Sequence, residues 1–413
     1  MVRPPFSEPS LRRRALLAAG IALVACAAFG WRQQQPRLEG EFGLAVFVRG
    51  DSLHVHWLLE SPDAGRLAVV DANAPAAPLA TASTPGGLAH HAVVPRPRQN
   101  EIVLRYGSAA PSATVHETRI SLAQPRRAPG TVAAADSLYI LGDTHGMYDE
   151  LISGLRNAGL IDGNNRWTGG RKQLVFAGDL TDRGPDVMRL LWFVYGLERE
   201  AAAAGGAVHV VLGNHELMVM LGDLRYVHPK EGHIAELHRI TYDRLFDVRS
   251  SILGRWLATK PGLLRVGRVL VAHGGVTPLH ARLSLQQLND TLSAYMREDL
   301  FYHWNDSTAQ VKVDSATFQR RVDFIFDENS LFWHRGYILT DTLASQLTQV
   351  LRRLDADVLV VGHTAKPSVE ARYDGRVIAA HSQKFGAELV LLVRTQTGYD
   401  RFRVGQPGPP VPF

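Results

Sequence analysis

The stretch VFAGDLTDRG, residues 175–184, joins a short apolar run directly to a polar turn. The branched and aromatic side chains at its start predict a buried strand. A glycine follows, which lets the backbone turn sharply and lets a ligand approach the main chain closely. Asp179, Asp182 and Arg183 then supply two carboxylates and a guanidinium. The stretch therefore predicts one strand of an α/β protein that ends in a polar loop with ligand-type side chains.

The same arrangement recurs at LGDTHG (141–146), VVLGNHE (210–216), VLVAHGG (269–275) and VLVVGHT (358–364). Apolar strand-like runs alternate with helix-like segments between them, which predicts a layered α/β domain. The polar residues at the ends of these four runs are Asp143, His145, Asn214, His215, His273 and His363. Any one such turn is ordinary, because Asp, Asn and Gly favour turns. Five together predict a shared site at the carboxyl ends of the strands.

In this order, the motifs GDTHG, GDLTDRG, GNHE, HGG and GHT resemble the signature of the calcineurin-like metallophosphoesterases, in particular their phosphoprotein phosphatase branch. The segment SLFWHRGY, residues 330–337, is similar to the Trp-x-Arg segment of the bacterial Shewanella-like phosphatases. The resemblance covers about residues 138–363. It implies a layered β-sandwich flanked by helices, in the order α/β/β/α.

The resemblance also implies two divalent or trivalent metal ions. We call the two sets of ligands the first site and the second site. The implied ligands are Asp143, His145 and Asp179 for the first site, and Asp179, Asn214, His273 and His363 for the second. Because the donors are carboxylate, imidazole and amide groups, we expect Mn, Fe or Zn rather than a metal that requires thiolate.

Catalytic roles follow from the same resemblance. A hydroxide held by both metals would attack phosphorus in line with the leaving group. His215 would be the general acid, oriented by Asp182. Arg183 and Arg335 would bind the phosphoryl oxygens, since a guanidinium can bind phosphate through two hydrogen bonds. The implied reaction is metal-dependent hydrolysis of phosphomonoesters.

The substrate is less defined than the reaction. A phosphorylated protein, on tyrosine or on serine and threonine, or a small phosphomonoester is the expected substrate. The eukaryotic members carry an SAPNY loop, whereas the corresponding region here reads AAHSQKFGAELVLLV, residues 379–393. A dinucleoside polyphosphate or nucleotide hydrolase on the same fold therefore stays open, and so does a non-catalytic envelope binding protein. His381, within this region, could be an extra site residue, but we expect it to be a satisfied strand-end histidine.

Charge and cysteine content bear on two other classes of protein, nucleic-acid-binding proteins and phosphatases with a cysteine nucleophile. The formal net charge is +5 and the pI is about 9.4, but no basic run is long enough to predict a nucleic-acid partner. Cys26 is the only cysteine, so no internal disulfide can form. Because Cys26 lies in a predicted export signal, a cysteine-nucleophile phosphatase is excluded as well.

Residues 1–31 read as that export signal, with three arginines before the apolar stretch 15–30. The tetrapeptide LVAC, residues 23–26, resembles a bacterial lipobox, which implies lipid attachment at Cys26. Cleavage after ACA, residues 25–27, is the alternative. We therefore expect an exported protein, either periplasmic and soluble or anchored as a lipoprotein that faces the periplasm.

Domain boundaries complete the predictions. Short alternating strands predict an accessory all-β sandwich at residues 36–125, followed by a linker at 126–136. The metallophosphoesterase domain is predicted at residues 137–404 and a disordered tail at 405–413. Residues 217–249 and 284–303 read as helical inserts that could cap the site. Four histidines of the accessory region could be ligands, but we expect them to be exposed strand residues: His54, His56, His90 and His91.

Overall fold

The structure is a computed structural model that describes residues 43–297 and 315–413. The predicted export signal, Cys26 and the far end of the second helical insert lie outside these residues. Within them, no helix is long and apolar enough to cross a membrane.

The accessory region consists of two antiparallel sheets, with strand orders β1-β2-β5 and β4-β3-β6-β7. The strands are β1 (Ala45–Arg49), β2 (Ser52–Leu58), β3 (Gly65–Asp71), β4 (Pro78–Thr84), β5 (Ala89–Pro95), β6 (Glu101–Ser108) and β7 (Val115–Ser121). Alternate side chains such as Leu53 and Val55 on β2, and Ile102 and Leu104 on β6, are buried. This period of two is why these residues form strands with one inward face. The predicted all-β accessory region is confirmed.

The rest of the chain contains two six-stranded sheets, ordered β11-β10-β9-β17-β18-β19 and β15-β16-β14-β13-β12-β8. The strands are β8 (Thr131–Val132), β9 (Ser137–Leu141), β10 (Gln173–Phe176), β11 (Ala207–Val210), β12 (Leu263–Val266), β13 (Val269–Ala272), β14 (Val358–Val361), β15 (Glu370–Arg372), β16 (Val377–Ala379), β17 (Leu389–Arg394), β18 (Tyr399–Val404) and β19 (Val411–Pro412). Ile140 of β9, Val271 of β13 and Val360 of β14 belong to one buried cluster between the sheets. Tyr139 and Leu141, which alternate with Ile140, belong to the second cluster, which the helices share.

Helices cover the outer faces of these sheets, which gives the predicted α/β/β/α layering. The helices are α1 (Tyr148–Asn157), α2 (Val187–Ala203), α3 (Asn214–Met220), α4 (Pro229–Leu237), α5 (Ile252–Leu257), α6 (Leu285–Arg297), α7 (Ser315–Phe326), α8 (Gly336–Leu339) and α9 (Ala344–Arg353). Helix α2 buries Leu190, Leu191, Val194, Leu197 and Ala201 at helical spacing. The first helical insert is confirmed as α3, α4 and a 3₁₀ turn at Tyr242–Phe246, and the described part of the second is α6.

The accessory strands pack on the layers formed by β8–β19 and the helices through a shared hydrophobic cluster. The indole N–H of Trp192 on α2 donates to the Leu44 carbonyl at 2.8 Å. The backbone N–H of Ser121 donates to the hydroxyl of Tyr195, also on α2, at 3.0 Å. Helix α2 therefore holds the accessory region on one side and a catalytic sheet on the other.

Two segments differ from the sequence predictions. The predicted linker 126–136 contains β8, which pairs in parallel with β12, because the edge of β12 has free backbone groups there. The predicted disordered tail 405–413 contains β19, which pairs with β18 at the opposite sheet's edge. Pro412 is tolerated because edge strands leave one row of backbone groups unpaired. Strands β8 and β19 are each two residues long, which is too short for a periodic pattern to show in the sequence.

Two of the four accessory histidines differ from expectation, whereas His91 is exposed as predicted. His56 and His90 are buried, with 7% and 3% of their surfaces exposed. The His90 ring lies 2.6 Å from the Thr84 hydroxyl and donates to the Gly87 carbonyl at 2.8 Å. His56 is stacked on His91 with ring centroids 4.0 Å apart. The His56 ring also meets the ring of His238, directly after α4, a contact that no local pattern reveals.

Candidate metal centre

The polar strand ends of the two catalytic sheets meet at one edge of the molecule. Strands β9, β10 and β11 run parallel in one sheet, and β13 and β14 run parallel in the other. The carboxyl ends of parallel neighbours lie together, so the loops that follow them converge. All six predicted metal ligands are buried there: Asp143, His145, Asp179, Asn214, His273 and His363.

The backbone of these loops adopts the left-handed region at several non-glycine positions. His145, Asp179 and His363 have φ values of 45°, 55° and 60°. Asp182 and Arg183 have φ values of 67° and 64°. This conformation costs energy for residues with a Cβ atom, and it concentrates at functional sites. It aims successive side chains of one short loop into the same space.

Asp179 lies at the centre of the cluster. Its Oδ2 atom is 3.1 Å from His273 Nε2, 3.8 Å from His145 Nε2 and 3.9 Å from His215 Nε2. Two groups of possible ligand atoms each lie within 4.8 Å of one another, namely His145 with Asp179 and His215, and Asp179 with His273 and His363. Asp179 belongs to both groups, which is the position that a residue shared by two ions requires.

Asp143 and Asn214 complete the set. Asp143 Oδ1 accepts a hydrogen bond from the backbone N–H of His363 at 2.9 Å, and its Oδ2 lies 3.7 Å from His145 Nε2. Asn214 Oδ1 lies 2.9 Å from His273 Nε2. The structure thus brings all six predicted ligands into one buried cluster, while their role as ligands stays a prediction.

Hydrogen bonds to backbone carbonyls orient two of the imidazole rings for metal binding. His145 Nδ1 donates to the Thr181 carbonyl at 2.9 Å and His273 Nδ1 donates to the Ala177 carbonyl at 2.8 Å. A carbonyl partner of this kind orients the ring and directs Nε2, the other ring nitrogen, into the cluster. His363 Nε2 is buried without a hydrogen-bond partner. These nitrogen and oxygen donors fit the metal pair that the motifs imply.

Burial sets the protonation of two of these rings. It lowers the pKa of His145 to about 4 and the pKa of His363 to about 2, so both rings are neutral near pH 7. A metal ligand must be neutral imidazole, because the lone pair has to be free. For Asp179, burial alone would raise the pKa, but the charge and hydrogen bond of His273 outweigh it and hold the pKa well below its usual range.

His215 lies at the edge of the cluster with Asp182 and Arg183. Its Nδ1 is 2.6 Å from Asp182 Oδ2, and Arg183 Nη2 lies 3.3 Å from its Nε2. Burial alone would lower the pKa of His215, but the Asp182 hydrogen bond and the charge of Asp179 outweigh it and raise the pKa above its usual value. The ring is therefore oriented by a carboxylate and holds a proton more readily than a free histidine does.

Arg335, immediately before α8, approaches the cluster from another segment. Its Nη1 donates to the His363 carbonyl at 3.2 Å and to the Thr364 hydroxyl at 3.5 Å. The residue is exposed to solvent, but partial burial of its guanidinium lowers the pKa of that group, against the charges of Asp143 and Asp179. A guanidinium held beside buried carboxylates in this way is positioned to meet an anionic group.

Glu216 is a positioning residue that the sequence reasoning missed. Its buried carboxylate accepts the backbone N–H groups of Asp179 at 2.8 Å, Leu180 at 2.7 Å, Thr181 at 3.0 Å and Gly213 at 2.8 Å. It thereby fixes the loop after β10 to the start of α3. The GNHE motif contains this residue, but a glutamate at the third position of a helix also fits an ordinary cap.

His381 follows β16 and also reaches the cluster. Its Nε2 lies 3.5 Å from Asp143 Oδ2, and its Nδ1 is buried without a hydrogen-bond partner. The expectation of a satisfied strand-end histidine is therefore wrong. The sequence signal was present, since His381 follows an apolar strand in the same way as the other site residues.

Comparison with known families identifies the chain once this geometry is clear. Residues 137–367 match the calcineurin-like phosphoesterases. The chain belongs to this family. The match begins at β9 and contains the six predicted ligands and Arg335, whereas β1–β7 precede it.

Relatives of this calcineurin-like phosphoesterase include Shewanella-like protein phosphatase 2 of Arabidopsis thaliana, 28% identical over 39% of this chain and 52% of the relative. Shewanella-like protein phosphatase 1 of Plasmodium berghei is 29% identical over 55% of this chain and 61% of the relative. The chain therefore spans a little over half the length of these curated relatives.

Solved structures are similar over a greater length. A structure of a cold-active protein tyrosine phosphatase has a TM-score of 0.65 and 26% identity, and the match covers 87% of this chain and 94% of that chain. The cold-active protein-tyrosine phosphatase of a psychrophile, Shewanella sp., has a TM-score of 0.68 at 24% identity, with coverage of 89% of this chain and 98% of that chain. The fold of this chain is therefore shared with these phosphatases over most of its length.

Proposed function

We propose that the chain is a metal-dependent phosphomonoesterase that acts on phosphorylated proteins, with phosphotyrosine among its substrates. The observation that carries the proposal is the position of Asp179 in both groups of possible ligand atoms. Two metal ions, with Mn, Fe or Zn as the candidates, would be held by the first and second sites as defined above. When bound, such a pair supplies Lewis acidity and an activated water for hydrolysis.

The chain's own residues perform the other steps of the proposal. Arg183 and Arg335 bind the phosphoryl oxygens and balance their negative charge. His215 donates a proton to the leaving oxygen, and Asp182 holds the ring in the orientation for that transfer. Glu216 keeps the loop that carries Asp179 and Asp182 in register with His215. A non-catalytic binding protein would have no need of this complete arrangement.

Two observations support a phosphoprotein as the substrate. The similarity to a protein tyrosine phosphatase extends over most of this chain, including the accessory strands, rather than over the catalytic layers alone. Two guanidinium groups at one site also suit the terminal phosphoryl group of a monoester, whose second negative charge a diester lacks. We therefore favour monoesters over diesters and over dinucleoside polyphosphates, whose anhydride-linked phosphates include no terminal phosphoryl group.

A substrate panel on metal-loaded protein tests the proposal. It includes phosphotyrosine, phosphoserine and phosphothreonine peptides, diadenosine tetraphosphate and bis(p-nitrophenyl) phosphate. We expect the peptides to have the higher kcat/KM, with phosphotyrosine at least equal to phosphoserine. If diadenosine tetraphosphate or the diester exceeds every peptide, the phosphoprotein proposal is wrong, and the nucleotide hydrolase or a diesterase replaces it.

The variant Arg335→Gln makes the substrate panel a test of the role assigned to this arginine. Arg335→Gln should lower kcat/KM for monoesters more than for the diester, because it removes a partner of the terminal phosphoryl oxygens. Arg394→Gln is the matched control, since Arg394 is half-exposed and pairs with the exposed Asp136 away from the centre. Equal losses on monoester and diester in Arg335→Gln would contradict the assigned role.

We also propose that the protein is exported. The support is the sequence of residues 1–31 alone, with Cys26 as the site of lipid attachment. In a bacterial host, Cys26→Ala should block processing or release the protein from membranes. A soluble mature protein that begins after residue 27 in the wild type would instead establish ordinary signal-peptide cleavage.

A further inference from the structure

His381 lies at the same edge as the ligands of the first site. It comes two residues after β16, which runs parallel to β14, so its loop leaves the sheet beside the loop that carries His363. Gly142 makes the close approach possible, because a Cβ atom there would lie only 2.6 Å from the backbone N of His381. The His381 side chain is buried, with 5% of its surface exposed.

Two imidazole nitrogens lie near Asp143 Oδ2 at distances that are typical of ligands of one metal ion. His381 Nε2 is 3.5 Å away and His145 Nε2 is 3.7 Å away. Both distances exceed a normal hydrogen bond, which is about 2.7–3.2 Å. Ligands bonded to one ion at about 2.0–2.2 Å are separated from one another by roughly 3–4 Å. Each imidazole nitrogen is therefore spaced from Asp143 Oδ2 as a neighbouring ligand of one ion is, rather than as a hydrogen-bond partner.

Asp143 Oδ2 is also free to serve a cation. The other carboxylate oxygen, Oδ1, accepts the His363 backbone N–H at 2.9 Å. That bond fixes the carboxylate plane and directs Oδ2 toward the two imidazoles. Asp143 thus has one oxygen committed to the fold and one that faces histidine nitrogens.

A purely structural histidine has a different environment in this chain. His90 is equally buried, yet each of its ring nitrogens has a partner within 2.8 Å. His381 Nδ1 has no partner, and its Nε2 has only the distant Asp143 oxygen. Buried polar atoms in folded proteins are nearly always hydrogen-bonded, so an exception calls for a reason.

We propose that His381 Nε2 is a further protein ligand of the metal ion at the first site, beside Asp143 and His145. The inference rests on the proposed function, since it assumes that the first site holds an ion. An additional imidazole replaces a water ligand and makes that ion harder to remove. The first site of this chain is then held by residues from the loops after β9, β10 and β16 rather than from two loops.

Metal retention in the full chain tests the inference. Wild-type protein, His381→Gln and the control His209→Gln are loaded with Mn²⁺, dialysed against graded chelator and analysed for bound metal. His209 is a suitable control because it is mostly buried in the body of β11 and its Nε2 also has no partner. We expect His381→Gln to lose one ion at about 10-fold or more lower chelator concentration, the scale of known changes around metal ligands. His209→Gln should match the wild type.

Co²⁺-loaded wild-type protein provides a measurement that needs no variant. Hyperfine-shifted ring signals in its NMR spectrum should come from four ligand histidines: His145, His273, His363 and His381. Three such histidines, or a His381→Gln protein that keeps both ions as tightly as the wild type, would overturn the inference and leave the phosphatase proposal intact. Failure of the wild type to bind two ions would contradict the proposed function itself.

Discussion

The accessory strands and the catalytic layers use their backbones differently. In residues 43–122, which contain β1–β7, no non-glycine residue has a positive φ. Elsewhere in the described residues eleven do, and five of them belong to the candidate site: His145, Asp179, Asp182, Arg183 and His363. The accessory strands therefore carry no strain of this kind, while the catalytic loops hold conformations that cost roughly 1–3 kcal/mol each.

Buried histidines show the same contrast. In the accessory region, both ring nitrogens of His90 have partners. At the candidate centre, His363 Nε2 and His381 Nδ1 are buried without one. Strained backbone and unpaired ring nitrogens at the same loops are what a preorganised ligand site requires. Variants at the centre should thus reduce activity, whereas variants in the accessory region should alter stability alone.

The largest effect is expected for Asp179→Asn. Asparagine tolerates the left-handed backbone, so the substitution removes the shared carboxylate without adding strain. Activity should fall on the order of 10⁴-fold, because the metal pair contributes several kcal/mol and each 1.4 kcal/mol is a factor of ten. Metal content should fall with it, as measured by elemental analysis. The exposed Asp400→Asn is the control, and full metal retention in Asp179→Asn would contradict the shared position.

His215→Asn should produce the next largest effect, a decrease in kcat of roughly 10²–10⁴-fold on alkyl phosphates. The decrease should be smaller for p-nitrophenyl phosphate, whose leaving group needs less protonation. Both metal ions should remain bound. This outcome also separates two roles for His215, because its Nε2 lies only 3.9 Å from Asp179 Oδ2. Loss of an ion would make His215 a ligand and not the proton donor.

Glu216→Gln tests whether the Glu216 carboxylate stabilises the loop after β10, which contains Asp179 and Asp182. The amide keeps the size of the side chain but turns an NH₂ group toward backbone N–H donors that the carboxylate now satisfies. We expect the free energy of unfolding to decrease by about 1–3 kcal/mol, the cost of leaving buried donors unsatisfied. Urea denaturation measures the change, with Glu236→Gln as an exposed control on α4. A decrease no larger than that of the control would show that Glu216 does not hold the loop.

These residues also mark how far the sequence could predict the structure. The convergence of Asp179, Asn214 and His273 on one site was predictable, because polar ligand-type residues follow five separate apolar runs. A structural role alone rarely explains such a repeated pattern. The partners of Glu216 were not, since an acidic residue early in a helix usually serves as a cap. The role proposed for His381 depends on its distance from Asp143, which lies in the loop after β9, far away along the chain. Strands β8 and β19 exist only because a neighbouring edge offers hydrogen bonds.

Burial of the accessory histidines could not be predicted from their strands either. His56 stacks on His91, and the ring of His238 meets it edge-on at 5.4 Å. His238 Nε2 also donates to the Gly43 carbonyl. Burial lowers the pKa of His56 to about 2 and the pKa of His238 to about 4. The value for His56 already includes smaller decreases caused by the neighbouring His91, His238, His54 and Arg49.

The smallest predicted effect follows from these two rings. Both have pKa values below 6.5, the usual value for an unfolded chain, so the unfolded state binds more protons between about pH 6.5 and pH 4. Stability should therefore fall with acidification in this window, by roughly 1 kcal/mol per pH unit for each ring. His56→Phe removes one of the two titrating rings and keeps an aromatic side chain, so it should weaken the pH dependence of the urea midpoint between pH 7 and pH 5. Its kcat at pH 7 should equal that of the wild type, because the accessory strands contribute no residue to the candidate centre. A pH dependence unchanged in His56→Phe would show that other groups cause the acid sensitivity, and a decrease in kcat would show that the two regions are coupled.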